Sequence, residues 1–297
     1  IRDLLFRFIA LFSNYSEISE GLSKHFYIAL LTLELLANIY SIFVFTLSVF
    51  HIFKSKLFHT NFIYPLLCFY MHTYVFTFTR VVLSLFQNGI IDVGDSNCKS
   101  YKILLIFSEL RFYGIFISVY TFVSLTIERV CATIFIRNYE VNTRRYISVV
   151  LISSSIIIAH LKAYYTSSGL PYVSNITVSS LIVTGFTMIV VQISSIRRLE
   201  ASSDLYALSM KFQLRENFRA FRLMKQVSIA SVFAAFSMCT DIYLVIAYHE
   251  YRNLSSILGA VFDTLLASSY CVMLSLVVFS QPSWRVSFAK SIGLSRW

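Results

Sequence analysis

Long apolar stretches recur along this chain, and the stretch over residues 101–135 constrains the fold most. It exceeds the roughly 20 residues that a helix needs to cross the hydrocarbon core of a bilayer. It nevertheless contains Glu109 and Arg111, and a charged side chain at the centre of a membrane helix costs roughly 2.5 to 3.5 kcal/mol to insert. Such charges require a polar environment, so we predict a membrane helix that borders a polar site.

The overall composition also favours a membrane protein. Hydrophobic residues make up 57% of the 297 residues and charged residues only 13%, whereas soluble domains carry roughly 25% charged residues. The formal net charge of +10 would suggest a nucleic-acid partner in a soluble protein. Here the basic residues cluster beside the apolar stretches, so we expect a lipid bilayer and no nucleic acid as the partner.

The apolar stretches predict an all-α membrane protein in which residues 1–297 form a single seven-transmembrane domain. The predicted spans are residues 26–53, 62–87, 101–135, 146–165, 177–196, 226–248 and 255–280. No proline separates residues 204–225 from the sixth span, so we expect them to extend that helix into the cytosol.

The N-terminal residues 1–12 are apolar but too short to span a bilayer, and charges interrupt them. We interpret them as an interfacial or outer segment. Because the chain begins at Ile1 rather than Met, we also expect residues to precede it.

The distribution of basic residues predicts the orientation. Most of the 25 Lys and Arg residues fall on the side that includes the C-terminal tail, and the positive-inside rule places that side in the cytosol. The candidate glycosylation residues Asn14, Asn175 and Asn253 start Asn-x-Ser/Thr sequons that all fall on the opposite side. We therefore expect a multi-pass protein of the cell membrane with its N-terminus outside.

Charged residues inside the predicted spans all lie in their outer halves, counted at about 1.5 Å per residue. They are Glu34, Arg80, Glu109, Arg111, Lys162, Asp241 and Asp263. In one interpretation they line a water-accessible cavity that binds a ligand. In the other they form interhelical ion pairs that fix packing, and Lys162 reaches the interface.

The ligand-binding interpretation assigns six of these residues to the ligand-binding cavity in the outer half. They are Glu34, Arg80, Glu109, Arg111, Asp241 and Asp263. With Lys162 counted, the cavity has four acids and three bases, and this nearly balanced charge together with the many aromatic residues favours a small neutral or amphiphilic ligand. The seventh span contains no Lys, which excludes a retinal Schiff base.

A basic face is predicted on the helix that precedes the sixth span. The residues are Lys211, Arg215, Arg219, Arg222 and Lys225, at spacings that keep them on one side of a helix. Such a face can dock a protein partner or anionic headgroups, or it can simply be solvated. Glu128 and Arg129, at the cytosolic end of the third span, are either an interfacial anchor or a switch in which the glutamate holds the arginine.

Enzyme and metal chemistry find little support in the sequence. The six histidines are scattered without HExxH spacing, and Cys98 is the single loop cysteine, which excludes a zinc site or a disulfide framework. We expect His72 and His160 to be packed core residues. We predict no enzyme, no metal and no cofactor.

Several motifs resemble the Sre family of nematode serpentine chemoreceptors. They are Glu128-Arg129-x-x-Ala132-Thr133, Tyr139-Glu140, Arg145-Tyr146-Ile147 and Leu208-Ser209-x-Lys211-Phe212-Gln213-x-x-Glu216-Asn217-x-Arg219. The resemblance implies a G-protein-coupled receptor that detects a small environmental or secreted chemical, located in sensory-neuron cilia. It implies coupling to a heterotrimeric G protein through Glu128, Arg129, Lys211, Arg215, Arg219 and Arg222.

Several features depart from rhodopsin-like receptors, among them a greater separation of Cys98 from Arg129 and a sixth span without a proline, and one alternative function stays open. Val130 follows the Glu128-Arg129 pair where those receptors carry an aromatic residue, and residues 166–176 offer no cysteine to pair with Cys98. The buried charges would also suit a ligand-gated channel or a transporter with a charged outer-half cavity. No internal repeat supports that alternative.

Overall fold

The computed structural model describes residues 21–54, 60–92, 99–135, 145–167, 208–248 and 250–291, together with scattered positions between 183 and 197. The regular elements within these ranges are all α-helices. In chain order they are α1 (Leu22–Lys54), α2 (Thr60–Gln87), α3 (Lys99–Ile134), α4 (Arg145–Ser167), α5 (Leu208–Ala247), α6 (Arg252–Ser280) and α7 (Pro282–Ser291).

Within the described ranges, five of these helices are long and apolar enough to cross a membrane. The segments are Ser23–Ile52, Thr60–Gln87, Lys99–Ile134, Arg145–Tyr165 and Asn253–Ser280, in α1 to α4 and α6. Their outward surfaces carry large apolar side chains such as Ile39, Phe78 and Val150. A surface of this kind suits contact with lipid rather than water.

Most of the predicted spans coincide with observed helices. Helix α5 is continuous from Leu208 to Ala247, so the described part of the predicted cytosolic extension and the sixth span form one helix. The predicted fifth span lies mostly outside the described residues, although Val183, Phe186 and Val190 are helical. The predicted segment over residues 1–12 also lies outside them.

The helices pack in the order α4, α3, α2, α1, α6, α5, and a smaller contact also joins α3 to α5. Helices α1, α3 and α6 run in one direction, and α2, α4 and α5 run in the opposite direction. We call the end at which α1, α3 and α6 begin the upper end, and the opposite end the lower end. Helix α7 lies at the lower end and contacts α1 and α6.

The apolar core is densest in the lower half, where it includes Phe62, Leu66 and Leu274, and where α7 contributes Trp284 and Phe288. Because lipid tails are as apolar as these side chains, close packing of the helices, and not removal from water, stabilises this core. In the upper half a second cluster contains Phe76, Phe262, Leu266 and Tyr270. Between these two apolar regions and the helix ends lie the charged residues described below.

Small residues bring the central helix close to its neighbours. A Cβ atom added at Gly114 of α3 would lie 3.3 Å from the Cβ of Phe76 on α2. On α4, Ala159 and Ala163 are fully buried against Phe112 and Phe116 of α3. Small side chains at such positions allow membrane helices to pack tightly, and here they fix α3 between α2 and α4.

Candidate functional site

Four of the predicted charged residues meet near the upper end of the bundle. The Arg80 guanidinium donates through Nε and Nη2 to Glu34 Oε1, at 2.9 and 2.7 Å. The same Nη2 lies 3.0 Å from Asp263 Oδ2, and Arg111 Nη1 donates to Asp263 Oδ1 at 3.1 Å. We call Glu34, Arg80, Arg111 and Asp263 the upper ion cluster, and it joins α1, α2, α3 and α6.

Uncharged groups complete the upper ion cluster. Gln87 Nε2 donates to Asp263 Oδ2 at 3.4 Å, and its Oε1 accepts from Arg80 at 3.5 Å. The Arg111 guanidinium carbon lies 5.3 Å from the centre of the Phe112 ring. Hydrogen bonds and aromatic faces of this kind offset part of the cost of removing arginines from water.

The upper ion cluster is almost completely shielded from solvent. The exposed fraction is 2% for the Arg80 side chain, 0% for Arg111 and 1% for Asp263. Two carboxylates face two guanidinium groups, so the cluster is electrically balanced. The pairing that the sequence left open is therefore settled for these four residues, and it matches the interpretation in which interhelical ion pairs fix packing. Ligand binding by them stays a prediction.

Three other predicted charges do not join this pairing. Asp241 of α5 is buried near Asp263, and its Oδ2 atom has no hydrogen-bond partner among the described residues. Glu109 is partly buried and makes no ion pair with the described part of the chain. Lys162 is half-buried near the upper end of α4.

A hydrogen-bonded tyrosine connects α6 to α3 at mid-height. The Tyr270 hydroxyl donates to the Gly114 carbonyl oxygen at 3.1 Å and lies 2.9 Å from Ser118 Oγ. Its ring stacks on Phe76, with ring centres 4.6 Å apart. Helices α2, α3 and α6 therefore meet at one point between the upper and lower ends.

A second buried arginine lies near the lower end of the bundle. Arg129 of α3 donates through Nε and Nη2 to the two carboxylate oxygens of Glu128, at 2.5 and 2.7 Å. Its Nη1 donates to Glu216 Oε1 at 3.1 Å and to Asn217 Oδ1 at 3.2 Å. We call Glu128, Arg129, Glu216 and Asn217 the lower arginine cluster, and it joins α3 to α5.

The surroundings of Arg129 hold it inside the protein. Its guanidinium carbon lies 4.7 Å from the centre of the Phe62 ring on α2. Asn217 Nδ2 donates to Thr133 Oγ1 at 3.1 Å, which adds a second link between α3 and α5. The side chains of Arg129 and Glu216 are each 1% exposed, so a partner protein cannot reach Arg129 in this conformation.

The predicted basic face is exposed beside the lower arginine cluster. On α5, Arg215 and Arg222 are exposed and Arg219 is partly buried, while the Lys211 side chain lies outside the described residues. Gln281 Nε2 donates to the Arg219 carbonyl oxygen at 3.0 Å and so joins this part of α5 to the junction of α6 and α7.

The other candidate residues have varied positions. Asn253 is exposed at the start of α6, at the upper end, whereas Asn14, Asn175 and Cys98 lie outside the described residues. His72 packs in the interior, with Nδ1 2.6 Å from the Cys68 carbonyl oxygen and Nε2 3.3 Å from the Tyr113 hydroxyl. The prediction of a core position for His160 is wrong, because α4 turns that side chain outward.

Sequence reasoning did not assign a role to Glu216 or Asn217, although both occur in the quoted motif. A usable signal was present. Glu216 lies one, two and three turns before Ala220, Leu223 and Val227, which are all buried. An acid in register with an apolar stripe points into the helix bundle, whereas the neighbouring Arg215 lies on the solvent side.

These features define a class of protein: a multi-pass bundle of membrane helices, with one buried charged cluster near each end. A family profile described as "Sre G protein-coupled chemoreceptor" matches residues 4–296. The match covers nearly the whole chain, and the protein therefore belongs to the Sre family of chemoreceptors.

Individual relatives agree with the family assignment. Serpentine receptor class epsilon-21 of Caenorhabditis elegans is 25% identical over 260 residues, which cover 84% of this chain and 69% of the relative. Serpentine receptor class epsilon-38 of the same organism is 28% identical over 201 residues, covering 64% of this chain and 54% of the relative. Serpentine receptor class epsilon-1 of Caenorhabditis elegans is 26% identical over 269 residues, which cover 86% of this chain and 76% of the relative.

Proposed function

We propose that this protein is a chemosensory receptor of the cell membrane that binds a small environmental or secreted chemical and activates a heterotrimeric G protein. In this proposal residues 1–297 form one seven-helix domain, the upper end faces outside and the lower end faces the cytosol. Family membership and the distribution of basic residues support this orientation. By resemblance to the family we place the protein in sensory-neuron cilia.

One observation carries the proposal: Arg129 is buried and bridges α3 and α5 at the predicted cytosolic end. Its contacts with Glu216 and Asn217 keep the lower ends of the two helices together. When these contacts break, Arg129 keeps its bidentate partner Glu128 and becomes accessible from the cytosol. The structure described here then corresponds to the closed, inactive form.

The predicted coupling surface lies next to this contact. Arg215, Arg219 and Arg222, together with Lys211, provide positive charge on the part of α5 that extends beyond the predicted membrane boundary. A G protein that contacts this face would also meet Arg129 once α5 has moved. Complementary charge across such a surface mainly speeds association and sets specificity.

Ligand binding is assigned to the upper half of the bundle. Four candidate residues, Glu34, Arg80, Arg111 and Asp263, already link α1, α2, α3 and α6. A ligand that changes the spacing of these helices has a route to the lower end through the contact of Tyr270 with Gly114 and Ser118. Glu109 and Asp241 border this region from α3 and α5.

The proposal is tested by replacing Arg129. Because Arg129 would contact the G protein in the active form, we expect Arg129→Ala to abolish ligand-dependent nucleotide exchange. The exchange is measured per receptor at the cell surface, since the variant also leaves the buried Glu128 and Glu216 without their cation and should lower expression. The matched control is Arg145→Ala, since Arg145 is exposed at the same end of the bundle. Normal exchange by the Arg129→Ala receptor would contradict the assignment.

The orientation has its own test. An epitope appended after Trp297 should be detected by antibody only after the cells are permeabilised. Detection on intact cells would show that the C-terminus lies outside, and the proposed ligand site would then face the cytosol and the proposed coupling surface the exterior. Ion flux through lipid vesicles that contain only this protein would instead support the channel or transporter alternative.

A further inference from the structure

Two acidic side chains near the upper ion cluster take no part in its pairing: Glu109, which is partly buried, and Asp241, which is buried. Asp241 is 5% exposed, and no described residue lies within hydrogen-bond distance of its Oδ2 atom. Lys162, the remaining basic residue of the predicted set, also has no hydrogen bond to its Nζ atom among the described residues. The two orphan groups therefore do not pair with each other.

The charge balance of the region makes Asp241 the exception. Glu34 and Asp263 are matched by Arg80 and Arg111, so the upper ion cluster has no spare positive charge for a third carboxylate. Asp241 is close enough to Asp263 for the two carboxylates to interact electrostatically. Repulsion between like charges disfavours a charged Asp241 here unless a cation is added.

Neither protonation state satisfies Asp241 within the described part of the protein. An ionised carboxylate would be buried without a counterion, which costs much more than burying a neutral group. A protonated carboxyl would leave a hydrogen-bond donor or acceptor unsatisfied, at a cost of about 1 to 3 kcal/mol. A bound group that supplies both positive charge and hydrogen-bond donors removes both costs.

Apolar rings adjoin this position. Val245 lies one helical turn from Asp241 and on the same face of α5. Val245 packs against the cluster that contains Phe76, Phe262 and Tyr270. The side of α5 that carries Asp241 therefore borders aromatic surface, and a ligand held by the carboxylate would place its apolar body against these rings.

We propose that Asp241 anchors the protonated amine of a small ligand whose remaining part is apolar or aromatic. This inference rests on the proposed receptor function and specifies the ligand class. It narrows the expectation of a small neutral or amphiphilic ligand, which followed from counting all the buried charges together, to an amphiphilic cation. Once the upper ion cluster is paired internally, the charge left to a ligand is negative.

The test uses a pair of compounds that differ only in the group that would meet Asp241. The full chain, purified in lipid nanodiscs without a G protein, is melted in the presence of phenethylamine or of phenethyl alcohol. We expect the amine at millimolar concentration to raise the melting temperature by about 2 to 4 °C. We expect no shift with the alcohol. Equal shifts for the two compounds, or no shift with the amine, would overturn the proposal.

Two matched variants assign any amine effect to this carboxylate. Asp241→Asn keeps the shape of the side chain but removes its charge, so the shift should disappear. Asp92→Asn makes the same change at an exposed position near the upper end and should keep the shift. A shift that survives in Asp241→Asn would overturn the proposal. If Asp241→Asn does not fold, equal shifts for the amine and the alcohol on the unmodified chain still overturn the proposal.

This readout is independent of signalling. A receptor that failed to activate any G protein would still show the amine-dependent shift, so failure of the coupling proposal leaves the result unchanged. A receptor that coupled normally but melted identically with both compounds would retain its proposed function and lose Asp241 as the ligand anchor.

Discussion

The upper ion cluster and the lower arginine cluster are both buried, yet they distribute their partners differently. In the upper ion cluster, the acids that face Arg80 and Arg111 come from α1 and α6, not from the helices that carry the arginines. In the lower arginine cluster, the bidentate partner of Arg129 is its chain neighbour Glu128, and α5 adds two single hydrogen bonds.

This difference separates a fixed contact from one that can open. Moving α6 away from the upper ion cluster would leave Arg111 buried without Asp263, and an uncompensated buried charge costs about 3 to 5 kcal/mol. Moving α5 away from the lower arginine cluster leaves Arg129 still paired with Glu128. The upper ion cluster therefore holds the bundle together, whereas the lower arginine cluster can open without leaving Arg129 unpaired, as the proposed switch requires.

The largest effect is expected from Asp263→Ala, which removes a partner from both Arg80 and Arg111. We expect the free energy of unfolding to fall by about 3 to 5 kcal/mol, measured by thermal or denaturant unfolding of the purified protein. The matched control is Asp92→Ala, at an exposed position.

A double variant tests whether the loss of stability in Asp263→Ala comes from the unpaired Arg111. Replacing Asp263 and Arg111 together by apolar residues leaves Arg80 paired with Glu34, so most of the lost stability should return. A loss below about 1 kcal/mol for Asp263→Ala, close to the change expected of a surface substitution, would show that the upper ion cluster does not hold the bundle together.

An intermediate effect on stability is expected from Glu216→Ala, together with a clear effect on signalling. If the contact with Arg129 contributes about 1.4 kcal/mol to the closed form, its loss raises ligand-independent nucleotide exchange about tenfold. Unfolding stability should fall by less than in Asp263→Ala, because Arg129 keeps Glu128. Unchanged basal exchange would contradict the switch.

The smallest effect on stability is expected from Arg222→Ala on the exposed basic face. Its free energy of unfolding should stay within about 0.5 kcal/mol of the unmodified protein. The affinity for the G protein should fall about fivefold, which corresponds to roughly 1 kcal/mol for one basic residue near an anionic surface. Lys24→Ala, exposed at the upper end, is the control and should leave this affinity unchanged.

The depth of the charged residues could be predicted from the sequence, but their direction could not. The rise per residue of a helix is fixed, so counting from the span ends placed Glu34, Arg80 and Asp263 at one level, where the structure brings them together. Counting did not separate Glu109 from Arg111. These two residues lie about 200° apart around α3, since positions i and i+2 do not share a face, and Arg111 alone enters the upper ion cluster.

At the lower end, too, the sequence predicted some features of the site and not the contact between helices. The spacing of Arg215, Arg219 and Arg222 predicted a basic face on α5, and the described side chains are exposed or partly buried there. The adjacency of Glu128 and Arg129 suggested that the glutamate holds the arginine, as the structure shows. The contact from Arg129 to Glu216 joins residues 87 positions apart, and no local pattern encodes which two helices of a bundle become neighbours.

The pairing of Glu128 with Arg129 on consecutive residues has a consequence for how the sequence can change over time. Because α3 carries its own counterion, the proposed switch predicts that substitutions at position 216 alter resting activity without leaving Arg129 as an unpaired cation. Under this proposal, related receptors could differ in sensitivity through one side chain on α5, while the residues that contact the G protein stay unchanged.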